Sequence, residues 1–137
     1  MKTLERWTRF RDLSLQEIKL LYKRLGIMFD IYTSESMYSD SQSIIDDLKR
    51  LNLIEQTEDD ALIAVVSSFN NPREIIRVPV LKSDGSTLYL TRDIAAAIDR
   101  KKQYNFGRMY YVVDSTQAKH FTNLKSILCS MGNPIYK

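Results

Sequence analysis

Residues 75–113 read IIRVPVLKSDGSTLYLTRDIAAAIDRKKQYNFGRMYYVV, and the changes of period inside this stretch decide the fold class. Ile75–Leu81 is rich in β-branched and aliphatic residues, which suit a pleated, half-buried strand. Pro79 cannot donate to a ladder and so points to an edge or a bulge. Ser83-Asp84-Gly85-Ser86 predicts a turn, because Asp-Gly tolerates the positive φ of tight hairpins. Residues 88–90 then resume as a strand. Thr91 is the expected N-cap of a helix lined by Ile94, Ala97 and Ile98, with small alanines that allow close approach to a sheet. Gly107 breaks this helix before residues 109–113, a continuous apolar run of the fully buried kind.

Outward from this stretch, Phe121, Leu124, Leu128 and Met131 recur at helical spacing, and Gly132 and Pro134 stop the pattern. Strand, helix, strand, helix is a parallel βαβα unit with a right-handed crossover, so the fold class is α/β. Towards the amino terminus, residues 61–66 read as a further strand. The segment before them is helical. Ser14 and Glu17 have capping-box spacing, and Ile18, Leu21, Tyr22 and Leu25 follow on one face, with Gly26 as the stop. Ile44, Ile45, Leu48 and Leu51 mark a second helix after a polar stretch, and the acidic residues 55–60 close the helical half. The expected organisation is a helical segment, 1–58, followed by a sheet-containing part, 59–137, with no internal repeat.

The chain has 137 residues, about one domain by the usual ~150-residue prior. Its 44% apolar and 27% charged residues are globular proportions and exclude wholesale disorder or low complexity. The longest aliphatic run, residues 61–66, falls far short of the ~20 residues of a membrane span, so no membrane partner is expected. The first ten residues, MKTLERWTRF, have no apolar stretch of the signal-peptide kind and carry acid early, so no targeting segment is expected in this chain. Cys129 is single and lies in an amphipathic pattern, the signature of a buried thiol in a reducing compartment. The net charge of +3 hides an asymmetry: residues 1–60 hold 9 Lys and Arg against 12 Asp and Glu, and residues 61–137 hold 11 against 5. Such a basic half can attract a polyanion, and it is also common on ordinary soluble surfaces.

In open α/β sheets ligands sit beyond the carboxyl ends of the strands. Tyr89 and Asp93 follow one expected strand, and Asp114 and Gln117 follow the next, so two polar clusters face one crevice. Taken alone, Tyr89 is better read as a half-buried strand aromatic, Asp93 as a first-turn acid favoured by the helix dipole, and Gln117 as an ordinary surface residue. With His120 the only histidine, two-histidine zinc sites and HExxH helices are excluded. No GxGxxG or GxxxxGK[ST] loop occurs, and four glycines cannot assemble a local phosphate cradle. His120 and Cys129 lie nine residues apart on one expected helix and do not pair.

Ser83-Asp84-Gly85, residues 88–97 (LYLTRDIAAA), Asp99-Arg100, residues 110–114 (YYVVD), Gln117 and His120-Phe121 together closely resemble the catalytic domain of arginyl-tRNA synthetases. Trp7, residues 10–14 (FRDLS), residues 22–26 (YKRLG), Phe29-Asp30, Tyr32 and Glu35-Ser36 resemble the preceding segment in the mitochondrial and fungal branch. The likeness covers nearly the whole chain and is weakest at residues 55–75. It implies a partial Rossmann-like class I domain from an arginine-tRNA ligase, which activates arginine with ATP, accompanied by Mg2+, and esterifies tRNA(Arg). By the same resemblance Tyr89, Asp93 and Gln117 bind arginine, with His120 and Asp114 on the pocket rim. An aspartate can take a guanidinium through two parallel charge-assisted hydrogen bonds, and tyrosine and glutamine can satisfy the remaining polar groups. The family holds ATP with a HIGH sequence upstream and a KMSKS loop downstream, and neither string occurs in these residues. The expectation is therefore a central slice carrying the arginine side of the site, in the mitochondrial matrix or the cytoplasm. The alternative is a truncated, non-catalytic homologue acting as a binding or interaction module.

Overall fold

The computed structural model describes residues 2–38 and 41–132, in two compact units, residues 1–33 and 34–137. The first unit is dominated by α1, Lys2–Arg24. Ser14 and Glu17 lie inside this helix, so the expected capping box does not open it. No glycine or proline interrupts residues 2–25, and Leu4, Trp7 and Phe10 already recur at intervals of three, which favours helix continuing through Ser14 over restarting there. Gly26 ends the helix at φ 70°, a conformation costly for residues with a Cβ. Beyond it the chain folds back on α1. Tyr22 meets Phe29 edge to face at 5.1 Å, Phe29 meets Tyr32 at 5.9 Å, and the Lys19 ammonium lies over the Tyr32 ring at 4.7 Å.

The second unit holds α2 (Gln42–Arg50), β1 (Ile54–Gln56), β2 (Leu62–Ser67), β3 (Ile75–Leu81), α3 (Tyr89–Tyr104) and α4 (Ala118–Ser130). The three strands form one sheet in the order β1-β2-β3 with both pairings antiparallel. The mixed helix and strand class is as expected, and the parallel βαβα pairing is corrected. Two of its strands do not form. Residues 88–90 run directly into α3 after a single bridge between Leu81 and Thr87, and residues 109–113 join no ladder among the described residues. An apolar run becomes a strand only with a partner for its backbone groups, and Val112, 97% exposed, has neither a ladder nor a core beside it. The strand β1 was not anticipated. Residues 57–60 make a turn, with Asp60 at φ 64°, that returns the chain from β1 to β2.

Pro79 lies on β3, which is an edge strand, opposite Ile63 and next to a register shift between Leu62 and Ile63. The Asp-Gly turn also forms: Gly85 takes φ 78° and donates to the Lys82 carbonyl, and the Asp84 carboxylate accepts from the Ser86 amide.

The core is a sheet face covered by three helices. Ala64, Val66, Val78 and Val80 are buried against Ile44, Ile45 and Leu48 of α2, Leu90, Ile94 and Ala97 of α3, and Leu124, Ile127 and Leu128 of α4. Because α2 belongs to this core, the compact units divide near residue 33, whereas the change from helical to strand periodicity falls near residue 58. The expected N-cap, Thr91, does not cap α3; Leu88 occupies that position. Thr91 is fully buried in the first turn, and its hydroxyl donates to the Val80 carbonyl at 2.5 Å. At the other end Asn105, at φ 42°, terminates α3 ahead of Gly107. Gly132 follows α4 at φ 69°, and Pro134 lies outside the described residues. Cys129 is half-buried rather than enclosed, and its burial raises the thiol pKa.

Replacing Thr91 by valine keeps its volume and removes the donor to Val80. The unpaired buried carbonyl should lower stability by about 1–3 kcal/mol, read as a fall in the urea midpoint with an unchanged slope.

Candidate functional site

Four of the five residues singled out in the sequence lie on or beside the amino-terminal ends of α3 and α4, and the fifth, Asp93, one turn into α3. The apolar pattern explains why they share this place. α3 buries Leu90, Ile94 and Ala97, which leaves Tyr89 and Asp93, four residues apart on the flank of this stripe, exposed and partly exposed respectively. Tyr89 is 67% exposed, and the Arg92 guanidinium lies over its ring, 5.7 Å from the centroid. Beside it, Lys82, Ser86, Thr87, Leu88, Tyr89 and Arg92 line a small cavity of about 140 Å³.

Asp93 is joined to His120 across the α3–α4 boundary, with His120 Nε2 2.7 Å from Asp93 Oδ2. An ionised carboxylate only accepts, so Nε2 carries the proton of this bond. The imidazole is steadied from one side: its ring meets Phe121 edge to face at 5.2 Å, and Phe121 in turn packs against Tyr111 with centroids 4.7 Å apart. Tyr111 and Phe121 both rest on the core. Residues 109–113, although not a strand, thus supply part of the backing of the site.

Asp114 does not turn towards Asp93. It caps the 3-10 turn Ser115–Gln117, where its Oδ1 accepts from the Thr116 amide at 2.9 Å and the Thr116 hydroxyl at 2.7 Å. The Thr116 amide, and then its hydroxyl, hold the Asp114 carboxyl below the usual carboxylate range. Gln117 is the N-cap of α4, is exposed, and makes no side-chain bond to the helix, so its amide is not consumed by capping. The structure thus brings Asp93 and His120 into contact, sets Tyr89 one turn from Asp93, and gives Asp114 a local structural task. Arg92 was missed in the sequence; its i, i+3 spacing from Tyr89 was the available signal. Among the described residues no group of three or more His, Cys, Asp or Glu could hold a metal ion, and no helix is long and apolar enough to cross a membrane.

Residues 2–136 match the family described as tRNA synthetases class I (R), catalytic domain. The chain is 42% identical over 133 residues to "Probable arginine--tRNA ligase, mitochondrial" of Bos taurus, covering 96% of this chain and 23% of that protein. It is 45% identical over 128 residues to "Probable arginine--tRNA ligase, cytoplasmic" of Dictyostelium discoideum, covering 91% and 21%. Among solved structures, the arginyl-tRNA synthetase of Plasmodium falciparum superposes with a TM-score of 0.75 at 28% identity, over 90% of this chain and 21% of that one. The chain therefore spans about a fifth of the length of the curated relatives it matches.

The depressed Asp114 carboxyl fixes the sign of a pH effect. A group with a lowered pKa in the folded state stabilises above its unfolded value of about 3.9 and loses that contribution as the pH falls through its folded value. Asp114→Ala should therefore lower the melting temperature at pH 7, and the gap from the wild-type chain should close as the pH drops below about 4. A gap independent of pH would assign the loss to packing instead.

Proposed function

The chain belongs to the class I (R) tRNA-synthetase catalytic-domain family, and we propose from this that it forms the arginine-binding side of an arginine-tRNA ligase. In this reading Asp93 receives the guanidinium of L-arginine, and Tyr89 and Gln117 contact the remaining polar groups. The observation that carries it is the Asp93 carboxylate, partly exposed and held at one oxygen by His120, one turn from Tyr89 on the same helix face. A carboxylate is the planar, charged acceptor that matches a guanidinium fork, whereas a lysine ammonium would leave part of that geometry unused. Tyr89 adds a ring that already accepts a guanidinium over its face, that of Arg92.

The whole enzyme would use ATP to activate arginine and tRNA(Arg) to accept it, with Mg2+ entering on ATP. The residues of this chain would bind and orient the amino acid. ATP chemistry draws on positioned donors of the HIGH and KMSKS kind, and these residues contain neither string. Relatives bear both mitochondrial and cytoplasmic names; the resemblance of residues 7–36 to the mitochondrial branch favours the matrix.

Isothermal titration of the chain should show saturable binding of L-arginine in preference to L-lysine. Asp93→Asn, which removes the charge and half of the paired acceptor, should cost roughly 2 to 4 kcal/mol of that binding. Equal affinities for the two amino acids, or an unchanged arginine affinity in the variant, would return Asp93 to the role of a helix-surface acid. In the same preparation ATP–pyrophosphate exchange should stay at the blank, and arginine-dependent exchange would contradict the division of labour between the two sides of the site.

A further inference from the structure

We propose that His120 is a positioning residue for Asp93: its Nε2–H fixes one carboxylate oxygen and so sets the plane in which Asp93 presents its remaining acceptors to a guanidinium. The inference rests on the assignment of Asp93 as the guanidinium acceptor. It adds a residue whose work is done on Asp93 and not on arginine.

A carboxylate turns easily about its last torsion, which is broad and roughly two-fold. A guanidinium fork, however, requires both oxygens to lie in its own plane. Something must hold that plane before the ligand arrives, or the ordering is charged against binding. The 2.7 Å contact from Nε2 to Oδ2 does this from a different helix, and the two side chains are only 26% and 37% exposed, so water competes less for the bond. The imidazole cannot itself drift, because Phe121 braces it and Tyr111 braces Phe121 against the core. Oδ2 keeps a second lone pair and Oδ1 keeps both, so the bond leaves room for a fork.

The residue type matters as much as the position. A lysine or arginine in place of His120 would cancel the charge that attracts the ligand. An imidazole can supply the hydrogen bond through Nε2–H without the permanent positive charge that lysine and arginine carry. The fold also explains why the donor comes from α4: Leu124, Ile127 and Leu128 are buried in the core, and this seats the first turn of α4, with His120 in it, beside Asp93 on α3.

His120 is the only histidine, so a chain labelled with 15N-histidine gives one pair of ring nitrogens. In the wild-type chain the expected spectrum shows Nε2 protonated, with the ring signals shifting saturably as L-arginine is added; this readout needs no variant to fold. By calorimetry His120→Ala should weaken arginine binding about tenfold, the size of a hydrogen bond to a charged group. His120→Gln, whose amide can place a donor near the same point, should stay within about threefold of the wild type. A merely structural role would lower the melting temperatures without separating the two variants in affinity. If Asp93→Asn loses arginine while His120→Ala keeps it, or if His120→Gln binds as poorly as His120→Ala, the positioning role is overturned and Asp93 keeps its assignment. If the ring signals of the wild-type chain ignore arginine although it binds, the positioning role is likewise overturned. If the wild-type chain does not bind arginine, or Asp93→Asn binds it unchanged, the assignment of Asp93 itself falls and the role of His120 with it.

Discussion

The rotational setting of α3 is the constraint on which the second unit depends. The Thr91 hydroxyl bonds the Val80 carbonyl, at the end of an edge strand, and Leu90, Ile94 and Ala97 bury the same side of the helix. With that side committed, Tyr89 and Asp93 have only the outer face available. A rotation of one residue, about 100°, would bury a carboxylate among aliphatic side chains at a cost of several kcal/mol. The core therefore places the site, and the polar residues need not contribute to stability in order to be held where they are.

A second consequence concerns residues 105–114. They connect α3 to α4 without joining the sheet, yet Tyr111 from this segment packs on Phe121 and on the core. Exposed Tyr110 and Val112 alternate with it, the period of a strand without a ladder. Local sequence has prepared this segment for pairing, and the three strands present in this unit pair only with one another. The same imbalance appears in α1, where Leu4, Phe10 and Leu20 are largely exposed. Both segments leave several large apolar side chains exposed to water.

Much of this protein could be read directly from its residues. The 3.6-residue period of Ile44, Ile45 and Leu48 and of Leu124 and Leu128 located α2 and α4, because burial of one stripe is the main reason such helices form. The β-branched composition of 75–81 located β3, Pro79 marked its edge, and Asp84-Gly85 marked its turn, since these features act through local backbone geometry. The motif around residues 88–121 was sufficient to indicate the family. Strand pairing was not legible. Whether 88–90 and 109–113 become strands depends on partners distant in the chain, and composition says nothing of where those partners lie. The capping box at Ser14 failed for a related reason: a local signal to start a helix has no force inside one that has already begun. Most of all, the bond between His120 and Asp93 joins residues 27 apart on two helices, and only the packing of both helices on one sheet brings them together. The sequence determined which residues could do chemistry and which faces had to be buried, because propensity and burial act residue by residue. The tertiary structure alone decided which polar groups meet, because that follows from the relative setting of whole elements around the core.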